Sequence, residues 1–124
     1  MVKKITQNNS GFYEEIFFGD ICLAIIIRSE FKDNGIKFFT PGEFSQQLGY
    51  MNRPAGYIIE PHVHKSVERK IEFTKEVLFI RSGKLRVDFY SKDKIYLESR
   101  NLDKGDIILL SAGGHGFEVI EDCE

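Results

Sequence analysis

Apolar and polar positions along this 124-residue chain alternate in short runs rather than in helical periods. Phe12–Phe18, Asp20–Arg28, Tyr57–His64, Glu76–Arg81, Lys84–Tyr90, Lys94–Glu98, Asp106–Ser111 and Gly116–Glu121 are each rich in Ile, Val, Phe, Tyr or Leu. Breakers separate them: Gly19, Lys32-Asp33-Asn34-Gly35, Pro41-Gly42, Arg53-Pro54-Ala55-Gly56, Ser82-Gly83, Ser91-Lys92-Asp93, Asp103-Lys104-Gly105 and Ala112-Gly113-Gly114. Many short strands with turn signals between them predict an all-β sandwich or barrel. One stretch departs from this. Thr40-Pro41-Gly42-Glu43 has the makings of an N-cap, a first-turn proline and an early acid. Phe44–Leu48 would then complete a single helical turn, or lead into a strand, before Gly49.

Length sets the scale: 124 residues make one domain, long enough to bury a core without staples. Only three residues follow the last strand run. A further strand, if the fold needs one, is expected from the N-terminal strands or from a partner chain.

Charge removes some function classes. The net charge is −2 and the signs are interspersed, so the basic footprint of a nucleic-acid binder is missing. The most basic stretch, Lys65–Lys70, is interrupted by Glu68 and reads as a solvated loop. Met1-Val2-Lys3-Lys4 imitates the start of a signal peptide, but the polar Ile5–Ser10 supplies no apolar segment after it. Ile21–Ile27, the longest apolar run, is too short to span a membrane. Cys22 and Cys123 have neither metal-ligand spacing nor a disulfide framework around them. A reduced, cytoplasmic protein is the expectation.

The chemistry rests on the three histidines, His62, His64 and His115. His62 and His64 are two apart in a strand-like run, so both side chains would share one face. Their Cα atoms would lie about 6.5 Å apart. Two such imidazoles reach a common ion at about 2.0–2.2 Å. An isolated His-x-His is more often a pair of histidines without a ligand, so the surroundings decide. Gly56 is followed by five residues and then His62-Val63-His64; Glu76 is followed by six residues and then Gly83. Gly105-Asp106 is followed by an apolar strand, the small turn Ser111-Ala112-Gly113-Gly114 and His115.

These two segments resemble the two sequence motifs of the cupin superfamily, over about residues 56–117. The resemblance implies a single cupin domain over 1–124, a double-stranded β-helix or jelly-roll barrel, with residues 1–55 as additional N-terminal strands. It implies a metal site of His62, His64, Glu76 and His115 holding one divalent transition metal. Imidazole and carboxylate together suit Fe, Mn, Ni, Co or Zn.

Two departures stand out. Eleven residues, Lys65 to Lys75, separate His64 from Glu76, where the family has three or four. Glu68 falls after a three-residue gap and is a rival ligand. Glu76 is preferred because it opens the apolar strand Val77–Ile80 and stands at the right distance from Gly83. The turn before His115 also lacks the proline common in the family, so a three-ligand site without His115 is an alternative.

Other residues have weaker signals. Glu60 shares parity with His62 and His64 and reads as a rim carboxylate. Gln47, Tyr50, Asn52 and Arg53 would either orient a substrate or form a surface loop. Phe117 shares parity with His115 and would face the cavity. The function expected from the resemblance is a metal-dependent enzyme acting on a small polar metabolite. The alternatives are a metal-independent isomerase or epimerase of the sugar-nucleotide type, in which the histidines transfer protons, and a non-catalytic module binding a small ligand. Small cupins often pair through N-terminal strands, so a homodimer through Ile21–Ile27 is possible on this reading, and Ile21–Ile27 serves equally well as core.

Overall fold

The computed structural model of the chain describes residues 3–8 and 11–124, with side chains from Phe12 onward. Met1, Val2, Asn9 and Ser10, which carry part of the charged start and of the polar stretch after it, lie outside the described residues. Among the described residues there are ten strands: β1 (Lys3–Asn8), β2 (Gly11–Phe18), β3 (Ile21–Ile27), β4 (Gly35–Phe38), β5 (Gly49–Asn52), β6 (Glu76–Phe79), β7 (Lys84–Tyr90), β8 (Tyr96–Asp103), β9 (Ile107–Leu110) and β10 (Gly114–Glu121). All pairings are antiparallel. Among the described residues there is no helix, so the chain is all-β. No helix is therefore long and apolar enough to cross a membrane.

The chain divides into two compact units. The larger comprises 1–33 and 73–124. In it a five-stranded sheet of order β1-β2-β3-β9-β6 and a three-stranded sheet of order β10-β7-β8 enclose one core. Neither sheet closes on itself among the described residues; the ladders end at β1 and β6 in one and at β10 and β8 in the other. Side chains alternate between the two faces, and on β3 and β9 both faces are buried, Ile25 and Leu109 included. Ile16, Ala24, Ile26, Ile108 and Leu110 form the inner face of the first sheet, and Val87, Phe89 and Leu102 that of the second; all are buried. Register carries the inner face outward to each sheet edge. Glu14 lies opposite Ile26, and Glu76 opposite Leu110. His115 and Glu98 both lie opposite Phe89, and Arg100 opposite Val87.

β3 is an interior strand of its sheet, with Leu23–Ile27 buried. Of the run Ile21–Ile27, Leu23–Ile27 is core, and Ile21 is 53% exposed. Both cysteines are free, and burial raises the pKa of the Cys22 thiol above its ordinary value.

The smaller unit, 34–72, holds the hairpin β4–β5. Thr40–Leu48 makes no helix. Phe44 N–H bonds to Pro41 carbonyl at 3.1 Å, closing one turn. The Thr40 hydroxyl does not cap a helix; it donates to Gln47 Oε1 at 2.6 Å and accepts from Leu48 N–H at 3.1 Å. The predicted strand Tyr57–His64 is not formed, and residues 53–75 contain no strand. A β-strand is held by ladder hydrogen bonds to a neighbour, and this run has none. Its apolar residues are exposed, up to 91% for Val63.

Candidate metal centre

β6 and β10 are the edge strands on one side of the sandwich, and Glu76 and His115 sit at the starts of the two. Glu76 is the first residue of β6, on the inner face by its pairing with Leu110. His115 follows a turn that is anchored to β3. Ser111 donates its hydroxyl to Cys22 carbonyl at 2.6 Å, and its N–H bonds to Leu23 carbonyl at 2.8 Å. Gly113 then turns the chain at φ +72°, where a Cβ would press on Tyr90 carbonyl and the Leu23 side chain at 2.8 Å. A proline is not needed here: the serine anchor and the glycine turn deliver the imidazole to the inner face.

The two side chains meet. His115 Nε2 and Glu76 Oε1 are 3.2 Å apart, with Glu76 54% and His115 26% exposed. The Phe117 ring lies beside the imidazole, centroid to centroid 5.5 Å, as their shared parity predicts. Two donors bound to one ion at about 2.0–2.2 Å lie about 3 Å from each other. The Glu76–His115 spacing fits that requirement.

His62 and His64 belong to the smaller unit. Their rings are 5.7 Å apart and tilted by 52°. His62 Nδ1 lies 2.9 Å from Glu60 carbonyl. A carbonyl only accepts, so Nδ1 carries a proton, and in the neutral imidazole Nε2 is then the nitrogen with the lone pair. A backbone carbonyl on the second ring nitrogen is the usual companion of a metal-ligating histidine. Because Tyr57–His64 is not a strand, the common face expected for the two histidines does not come from strand parity. Glu60 contributes its carbonyl rather than its carboxylate.

The four expected ligands thus occur as two pairs, one within each unit. Among the described residues, no three His, Cys, Asp or Glu side chains gather where they would hold an ion. Glu68 lies in the exposed run between the pairs in sequence, within the smaller unit. Gln47 is a loop clamp, donating from Nε2 to Pro41 and Phe44 carbonyls at 3.0 and 2.9 Å. The Arg53 guanidinium lies 4.9 Å from the centroid of the Tyr57 ring.

Sequence reasoning missed a second constellation on the opposite side of the sandwich. Arg28 bonds Glu14 at 2.7 Å and Asp106 at 3.0 Å; Arg100 bonds Glu14 at 3.0 Å and Glu98 at 2.7 Å. Burial disfavours the charge on Arg100, but the hydrogen bonds it donates to Glu14 and Glu98 outweigh it and raise the pKa overall. Asp106 also accepts from Ser29 N–H and Asp103 N–H at 2.9 and 2.8 Å. The aspartate after Gly105 is therefore a structural tie. The signal was available in parity: Glu14 shares a face with Ile16, and Arg100 with Leu102, so charges at apolar-face positions had to find partners.

Comparison with family models, curated proteins and solved structures found no match.

Proposed function

We propose that the chain is a cytoplasmic, divalent-metal-binding protein of the cupin jelly-roll type, and a metal-dependent enzyme acting on a small polar metabolite. His62, His64, Glu76 and His115 are the ligands. The observation that carries this is the Glu76–His115 contact at 3.2 Å, made by residues from two different sheets at a solvent-open edge. The Glu60 carbonyl on His62 supports it by leaving Nε2 free to ligate. A bound metal would supply Lewis acidity or, as iron, a site for dioxygen. The protein's part is to orient: Ser111 and Gly113 fix His115, β6 fixes Glu76, and Phe117 gives one side of the site an apolar wall.

A second reading is favoured by the same contact. A carboxylate against an imidazole is also a proton-transfer dyad, with Glu76 orienting His115 as the base of a metal-independent isomerase.

Elemental analysis of the purified protein, beside Glu76→Ala and Glu68→Ala, separates the two. Near-stoichiometric metal that disappears only with Glu76→Ala is the expected result. Wild-type protein that takes up no metal even on reconstitution leaves the proton-transfer reading.

A further inference from the structure

The outer face of the three-stranded sheet carries a trough of about 430 Å³, within the range of small-molecule pockets, about 300–1,000 Å³. It is lined by Arg86, Asp88, Tyr90, Tyr96 and Ser99, all on β7 and β8 and none among the residues assigned to the metal. Its polar floor is organised in advance. Arg86 donates from Nε and Nη2 to the two oxygens of Asp88 at 2.8 and 3.1 Å. Ser99 donates its hydroxyl to Asp88 Oδ1 at 2.5 Å. That proton being used, Tyr96 is the donor in its 2.8 Å contact with the Ser99 oxygen.

The aromatic walls are equally fixed. The Tyr90 and Tyr96 rings meet edge to face, 5.7 Å between centroids. Tyr90 Cε1 lies at ordinary van der Waals distance from where a Cβ at Gly116 would stand, 3.6 Å. Tyr96 is 55% exposed.

The unused valences identify the ligand class. The Tyr96 oxygen keeps lone pairs to accept, and so does Asp88 Oδ2. Arg86 Nη1 stands 3.6 Å from Glu118, beyond hydrogen-bond range, and keeps protons to donate. The guanidinium is matched by Asp88 and, at 3.6 Å, by Glu118, so the trough offers an anion no net positive charge. It is open and polar-floored, which suits no purely apolar ligand. Donors and acceptors in close alternation beside an exposed aromatic face match vicinal hydroxyls on one side of a molecule and C–H groups on the other. We infer that this trough is a binding site for a neutral carbohydrate, with a pyranose ring laid on Tyr96 and its hydroxyls on Asp88 and Arg86. The inference is independent of the metal.

Titration of the isotope-labelled full chain with maltotriose, followed by amide chemical shifts, tests it. Saturable shifts confined to Arg86–Tyr90, Tyr96–Ser99 and Gly114–Gly116 are expected, alike with chelator and with added metal. Tyr96→Ala should weaken binding about tenfold or more through loss of the stacking face; Asp88→Asn should weaken it through loss of an acceptor. Tyr96 is exposed, so its variant keeps the fold. Absence of saturable shifts at the highest soluble maltotriose, or saturation unchanged in Tyr96→Ala, overturns the proposal.

Discussion

Along β2 and β8 the two sheets are joined by an unbroken chain of charges, Asp106–Arg28–Glu14–Arg100–Glu98. Along β6 and β10 they are joined by one carboxylate–imidazole contact, half open to solvent. Both arise in the same way, from charged or polar residues placed at inward parity on strands near the sheet edge. They differ in how much hydrogen-bonding capacity is left. On the β2–β8 side the guanidinium and carboxylate groups are turned on one another, and what remains unpartnered there, Glu98 Oε2 and Arg100 Nη2, is sealed from solvent. Those two atoms carry a desolvation cost of about 1–3 kcal/mol each. That side closes the sandwich. On the β6–β10 side the groups keep lone pairs, and water or a ligand can reach them. Sites for chemistry follow unused valence that is accessible, not the mere presence of charge.

The largest expected effect comes from breaking the closed side. Glu14→Ala removes the carboxylate shared by two half-buried guanidiniums, leaving Arg28 to Asp106 and Arg100 to Glu98, and should cost about 3 kcal/mol in chemical denaturation. On the open side the same kind of change should leave metal-free stability within about 0.5 kcal/mol, because Glu76 is mostly exposed. Its effect falls on the ligand instead. Metal at one hundred times its dissociation constant should stabilise the wild type by about 2.7 kcal/mol, and Glu76→Ala should forfeit that gain.

A smaller effect separates both edges from the sheet face between them. Hydrogen bonds from Arg86 and then Ser99 hold the Asp88 carboxyl below its ordinary pKa. Its folded value is thus lower than its unfolded one. Its contribution to stability is full above the ordinary aspartate range and is lost as pH falls through the lowered folded value. Asp88→Asn should flatten the acid limb of a melting-temperature profile and leave the neutral limb's slope unchanged. The smallest effect is expected for Glu68→Ala, with metal content retained and stability within about 0.5 kcal/mol of wild type.

Much of the sandwich was legible in the sequence because one face of each strand is apolar. β7 runs from Lys84 to Tyr90 as its alternation predicts, and β2, β3, β9 and β10 fall within two residues of expectation. The apolar run predicts a strand over Lys94–Glu98, whereas β8 runs Tyr96–Asp103. Ser99, Arg100 and Asn101 hid it, since polar residues that bond to Asp88 and Glu14 look like a loop until their partners are known. β1 was hidden by its polar sequence, KKITQN, and is defined by its pairing with β2. β4 and β5 are four residues each, too short for a period to show. Tyr57–His64 fails in the opposite sense. Its composition suits a strand, but a strand also needs a neighbour, and pattern carries no information about the neighbour. Glu76 and His115 are singled out by the motif resemblance, through the spacing of Glu76 to Gly83 and the small turn before His115, and their side chains lie 3.2 Å apart. The pairing of charges across the far edge was not legible, because it joins residues as distant as Glu14 and Arg100.

The central claim, that Glu76 and His115 serve a metal, is tested most directly by thermal unfolding of wild type, Glu76→Ala and His115→Ala, each with chelator and with added divalent metal. A metal-dependent rise in melting temperature for the wild type, lacking in both variants, is expected. A wild-type melting temperature indifferent to metal and chelator, or a rise that survives in both variants, would contradict it.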